Sequence, residues 1–224
     1  MKILFSVFLL TLLASCTVGL EQKTETNNGV TPTTITTEDA LPSPSMPIWT
    51  GVLEESSIDS ISLSWVMDTV FTYLDSENKS YASGTFREII SRYPHTVVYF
   101  YPKDGTPNCT IQALDFSMML TDFRAKGYNV IWVSKDGLDS HKVFAERNEL
   151  KIELLQDANG DLLKAFGAEG PLQTYGNGDE LSDIIRSTYI IDSTGTPSHA
   201  YRDIVAMGHA RRIYEVATGE EYTK

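Results

Sequence analysis

At 224 residues, with 42% hydrophobic and 21% charged side chains, the chain has a globular composition and room for one well-packed domain with appendages or two small ones. Its 18 Lys and Arg against 30 Asp and Glu leave a formal charge of −12, with no basic stripe to neutralise phosphates, which excludes nucleic acid as a partner. Its 2 cysteines cannot build a disulfide framework, so their positions say more than their number.

The chain opens MKILFSVFLLTLLASC: a positive charge at Lys2, then an apolar run over 3–13. That run is too short to cross a bilayer core of ~30 Å as a helix and reads as the apolar region of a signal peptide. The sequence Leu13-Ala14-Ser15-Cys16 resembles the bacterial lipoprotein box, in which cleavage falls before the cysteine and its sulfur carries a diacylglycerol. The resemblance implies a signal peptide over 1–15 and a lipid anchor on Cys16, stabilised by ~0.8 kcal/mol per buried CH₂. Thr17 follows the cysteine, where an aspartate would resemble an inner-membrane retention signal. The expected location is therefore the bacterial cell envelope, on the periplasmic face of the outer membrane. Residues 16–47 are rich in Thr, Glu, Asn and Pro, bury little apolar area and read as a flexible tether. Residues 48–68 carry Ile48, Trp49, Val52, Leu53, Ile61, Leu63, Trp65 and Val66, too apolar for a tether, and read as an N-terminal extension packed on a folded domain over 69–224.

Within the domain, 70–74 and 79–82 flank Asp75-Ser76-Glu77-Asn78 and predict a hairpin with a polar turn. Ser83 is placed to cap a short helix ending near Ser91, with Phe86, Ile89 and Ile90 on one face. A buried strand over 96–101 (TVVYFY) follows, then a turn punctuated by Pro102, Gly105 and Pro107. Pro107 suits the first turn of a helix running to about Lys126, with Ile111, Leu114, Met118 and Phe123 as its expected inward stripe and Gly127 as its stop. Strands are expected over 128–133, 152–155, 187–192 and 199–202, and helices over 139–148, 162–166 and 207–216. Gly-rich 167–184 reads as a loop or insertion. Strands alternating with helices, closed by a hairpin and a helix, predict an α/β fold with a central mixed sheet flanked by helices.

The chemistry concentrates in VVYFYPKDGTPNCT over 97–110. It delivers Cys109 into the first turn of a helix, where unpaired N–H groups and the positive end of the dipole stabilise an anion. A thiol so placed is expected to ionise readily, and the thiolate is the reactive form.

Pro102, Thr106 and Cys109 form P-x-x-x-T-x-x-C, which resembles the active-site motif of the peroxiredoxins. FYPKDGTPNCT, WVSKDGLDSHKVFAERNEL, LLQDANGDLLKAFGAEG, RSTYIIDSTGTP and GHA follow one another as in the peroxiredoxin Q, or bacterioferritin comigratory protein, subgroup. The resemblance covers about 69–215. It implies a thioredoxin-like fold and a thiol-dependent peroxidase reducing hydrogen peroxide and organic hydroperoxides through a cysteine sulfenic acid. It also implies residue roles. Cys109 would be the peroxidatic cysteine, Thr106 would hydrogen-bond the peroxide, Pro102 would shield the site, and Arg186 would sit beside the thiolate.

Two positions depart from the subgroup. Leu114 stands where many members keep a resolving cysteine, and Gln112 where glutamate is frequent. With Cys109 the one cysteine after Cys16, a one-cysteine cycle is expected, with an external thiol reductant, either a thioredoxin-like protein or a small thiol. An unlipidated Cys16 on its tether is the other conceivable partner. The reading from another class is a lipid-anchored thioredoxin-fold interaction module with little turnover. A disulfide oxidoreductase would need a cysteine at Gln112 and a copper-delivery protein one at Ala113. His95, His141, His199 and His209 lack ligand spacing and read as surface or capping residues; no metal or cofactor is expected. The peroxidase is expected to be a monomer or homodimer.

Overall fold

The hairpin expected near the start of the domain comprises β1 (Val70–Asp75) and β2 (Ser80–Thr85), in register from Val70↔Thr85 to Asp75↔Ser80. β2 runs longer than expected, which moves the following cap. Ser83 pairs across the ladder, its hydroxyl 2.9 Å from that of Thr72, and Thr85 caps α1 (Phe86–Ile90). The Thr85 hydroxyl accepts from the Glu88 N–H at 3.2 Å while the Glu88 carboxylate accepts from the Thr85 N–H at 2.8 Å, a reciprocal capping box. The structure is a computed structural model that describes residues 54–175 and 180–223. The expectations for 1–15, Cys16, the tether and 48–53 lie outside the described residues.

The remaining elements are β3 (His95–Phe100), α2 (Pro107–Ala125), β4 (Tyr128–Ser134), α3 (Leu138–Asn148), β5 (Glu153–Gln156), α4 (Asp161–Phe166), β6 (Glu169–Tyr175), β7 (Glu180–Ile184), β8 (Ser187–Asp192), β9 (Pro197–Arg202) and α5 (His209–Thr218). A 7-stranded sheet has the order β2-β1-β5-β4-β3-β8-β9. β3, β4 and β5 run parallel, while β8 pairs antiparallel with β3, so the sheet is mixed. Covered on both faces, β3 and β4 read as continuous apolar runs rather than alternating ones. Val97, Tyr99, Val130 and Trp132 point to one face, under α2, α3 and α5. Val98, Phe100, Ile131 and Val133 point to the other, under α1 and α4. Leu63, Val66 and Met67 are buried on that second face, and the Ser62 N–H donates to the Ala165 carbonyl at 3.0 Å, whereas Trp65 is exposed. No helix among the described residues is long and apolar enough to cross a membrane.

The inward face of α2 differs from the expected stripe. Ile111, Leu114 and Met118 are 41%, 38% and 62% exposed, and of the residues expected inside only Phe123 is buried. The buried line is Cys109, Ala113, Phe116, Leu120 and Phe123, at helical spacing. The small residues Cys109 and Ala113 share this sheet-facing line with the three larger side chains, all of them in one core cluster. The 167–184 segment is also not a loop. β6 and β7 form an antiparallel hairpin, irregular between Glu169 and Gln173, that leads into Arg186. Glu169, Gln173 and Thr174 are exposed together with Leu172 and Leu181, and the strands lack the apolar run that identifies the central strands.

Candidate active site

β3 ends at Phe100, and the residues 101–106 carry the chain to α2. Thr106 is the N-cap of α2 with extended φ and ψ of −70° and 148°, and Pro107 occupies the first turn, where its missing N–H costs nothing. Cys109 follows within that turn, pointing to the sheet, 0% exposed. It is a free cysteine. Pro102 and Thr106 are both buried beside the turn. The Thr106 hydroxyl makes no capping bond; it donates to the Lys103 carbonyl at 3.2 Å, which leaves its lone pairs as acceptors.

Arg186 stands between β7 and β8 and is itself buried. Its Nη2 donates to Cys109 Sγ at 3.2 Å, and its Nη1 donates to Gln112 Oε1 at 2.5 Å and to the Tyr99 hydroxyl. The Tyr99 hydroxyl donates in turn to the same Gln112 oxygen. Because a guanidinium only donates, the contact fixes which end of the Gln112 amide faces it. Burial opposes the Arg186 charge, but Tyr99 and Cys109 outweigh it and hold the group above its ordinary value; burial raises Tyr99, with Arg186 opposing. The cation therefore stays charged in a buried position beside the thiol.

The sequence singles out Pro102, Thr106, Cys109 and Arg186, and the fold brings all four into one region. It does not single out Tyr99, nor a role for Gln112, although Gln112 lies one helical turn from Cys109 and Tyr99 shares a strand face with Val97. The histidine expectation is overturned for two residues. His141 and His209 are buried, because α3 and α5 lay them against the sheet. His209 Nε2 lies 2.7 Å from Thr188 Oγ1, and its ring is 6.1 Å from both Tyr99 and Phe116. Burial, reinforced by Arg186, drives its pKa down to about 3. It is thus a neutral neighbour of the site, which does not take up a second proton at ordinary pH.

A buried thiol at a helix N-terminus, bridged to an arginine over a mixed sheet of this order, defines a thiol enzyme of thioredoxin-like fold. Residues 75–199 match the AhpC/TSA family, and the chain belongs to that family, within its peroxiredoxin Q and Bcp group of thiol-dependent peroxidases. A Bcp peroxiredoxin relative from Helicobacter pylori (strain J99) is 39% identical over 119 residues, covering 53% of this chain and 77% of its own. Peroxiredoxin Bcp of Xanthomonas campestris is 33% identical over 135 residues, covering 60% and 83%. The solved structure of Xanthomonas campestris peroxiredoxin Q superposes with a TM-score of 0.59 at 27% identity, covering 75% of this chain and 97% of that one.

Proposed function

We propose that this chain reduces hydrogen peroxide and organic hydroperoxides in a one-cysteine cycle. The observation that carries the proposal is the contact between Arg186 Nη2 and Cys109 Sγ at the N-terminus of α2. The Cys109 thiolate attacks the nearer peroxide oxygen, and the O–O bond breaks with its electron pair leaving on the far oxygen. Sulfur is oxidised to sulfenic acid, and the departing hydroxide or alkoxide takes a proton from solvent. Thr106 accepts the peroxide O–H and, with the first-turn amides, aligns the molecule for attack. Arg186 steadies the charge as it moves from sulfur to the leaving oxygen. Pro102 keeps bulk water from the sulfur. Xanthomonas campestris bacterioferritin comigratory protein, 26% identical with a TM-score of 0.59, is described for alkyl peroxide reduction, which favours organic hydroperoxides among the substrates.

Regeneration needs two external thiols. The first condenses with the sulfenic acid, releasing water and forming a mixed disulfide; the second attacks that disulfide and frees Cys109. A thioredoxin-like protein or a small thiol can serve. Stopped-flow oxidation of the purified protein by hydrogen peroxide tests the reading. Cys109 is expected to react far faster than a free thiol, and a rate no better than a free thiol would overturn it.

Cys16 is proposed to carry a lipid that anchors the protein on the periplasmic face of the outer membrane, a reading supported by the LASC sequence after the apolar run. Cys16→Ala is expected to move the protein from the membrane to the soluble fraction, and unchanged fractionation refutes it.

A further inference from the structure

A second buried polar cluster sits on the other side of the Cys109 turn, and the peroxidase chemistry makes no use of it. Asp104 lies in the connection between β3 and α2, its side chain 3% exposed, and faces the fully buried His141 of α3. Its Oδ2 is 2.8 Å from His141 Nδ1, and its Oδ1 accepts from the Tyr101 hydroxyl at 2.6 Å. The Asp104 N–H donates to Asp136 Oδ2 at 2.8 Å, and that same oxygen accepts from the Ser134 hydroxyl at 3.0 Å. The Asp104 backbone is thus fastened to Asp136 in the segment joining β4 to α3, and its side chain to His141 within α3. His141 Nδ1 and Asp104 Oδ2 are thus joined by one hydrogen bond in the buried cluster. Breaking one partner of such a cluster strands the others without water.

Gly105 separates this fastening from Thr106. It has φ of +74°, a left-handed backbone that glycine adopts without strain, and nothing lies within 4 Å of where a Cβ would stand. The Cys109 turn is therefore held at two points. One is the Arg186–Sγ contact, which involves the reacting sulfur and must change when the sulfur is oxidised. The other is the Asp104–His141 pair, which does not contact the sulfur.

We propose that Asp104 and His141 form a positioning pair that keeps the 102–106 segment, with Pro102 and Thr106, closed over Cys109. Closure favours attack on peroxide and disfavours entry of the external thiol, because Cys109 is fully buried in the closed arrangement. The inference rests on the peroxidase reading and names what sets the balance between its two half-reactions.

The test is made in the full chain, with Cys109 followed by mass spectrometry of its own peptide. His141→Leu is expected to slow peroxide oxidation at least about tenfold, the scale of a displaced positioning group, while speeding native-state alkylation of Cys109 by N-ethylmaleimide. His141→Asn carries an N–H that can reach the same Asp104 oxygen, and it is expected to restore most of both rates. Unchanged rates in His141→Leu overturn the proposal, as does a parallel fall of both rates or an asparagine variant that behaves like leucine. Should the wild-type chain fail to consume peroxide, the peroxidase reading falls alone, and the alkylation contrast still decides whether the pair closes the turn.

Discussion

Replacing Arg186 by methionine is expected to slow oxidation of Cys109 by hydrogen peroxide by about 10²–10³, the cost of removing one preorganised donor from a developing oxyanion. Methionine retains much of the volume and none of the donors. The loss has two parts that a control reaction separates. The guanidinium contacts sulfur at 3.2 Å in the resting site, and the proposed mechanism also assigns it to the oxygen that departs. Alkylation of Cys109 by iodoacetamide generates no oxyanion, so it is expected to fall less than peroxide oxidation. Equal falls in the two reactions would restrict Arg186 to the sulfur and refute its action on the leaving oxygen. Lysine is not an adequate replacement, because one ammonium cannot reproduce the fork that reaches Cys109, Gln112 and Tyr99 together. Arg186→Met also strands Tyr99 and Gln112 in the core, so the unfolding free energy is expected to fall by about 1–3 kcal/mol, checked by chemical denaturation.

The parts of the site legible from the chain alone are those written in local chemistry. A β-branched and aromatic run, a proline-bounded turn and a cysteine in the following helix have one common reading, and the structure keeps the strand, the turn and the helix start in that order. Arg186 is distant in sequence and has no local signature; only its surrounding block marks it. The phase of α2 escapes the sequence because large apolar residues suggest the core face, whereas Ile111, Leu114 and Met118 are exposed and the small Cys109 and Ala113 lie on the buried line. The same ambiguity hides the network, since a helix turned to bury Cys109 also turns Gln112 towards Arg186. His141 and His209 are legible only as isolated histidines. What buries them is the packing of α3 and α5 on the sheet, a relation between elements that no local pattern records. The Asp104–His141 contact joins two separate stretches, PKDG and LDSH, whose nearness follows from the parallel pairing of β3 with β4.

Leu114→Cys is expected to convert the proposed one-cysteine cycle into one that closes an intramolecular disulfide, and how it does so reports on the helix. Leu114 is 38% exposed on the outer face of α2, while Cys109 is fully buried on the inner face. Helix geometry separates residues five apart by about 8.6 Å between Cα atoms. A disulfide tolerates no more than about 7 Å. The bond therefore cannot form while the first turns of α2 are intact, so its appearance requires that they unwind. One equivalent of peroxide is expected to bridge Cys109 to the introduced thiol, seen as a mass about 2 Da lower and as lost helical circular dichroism, both reversed by reductant. In the wild-type chain the same treatment is expected to leave a sulfenic acid that external thiol must remove, with further oxidation if none is supplied. Failure of the variant to form the bridge, with its sulfenic acid over-oxidised as fast as in wild type, would show that α2 stays closed on this timescale. Reduction would then have to reach a buried sulfur, which only a small thiol could do. Bridge formation would instead establish that oxidised Cys109 becomes exposed, and a reducing protein could then reach it.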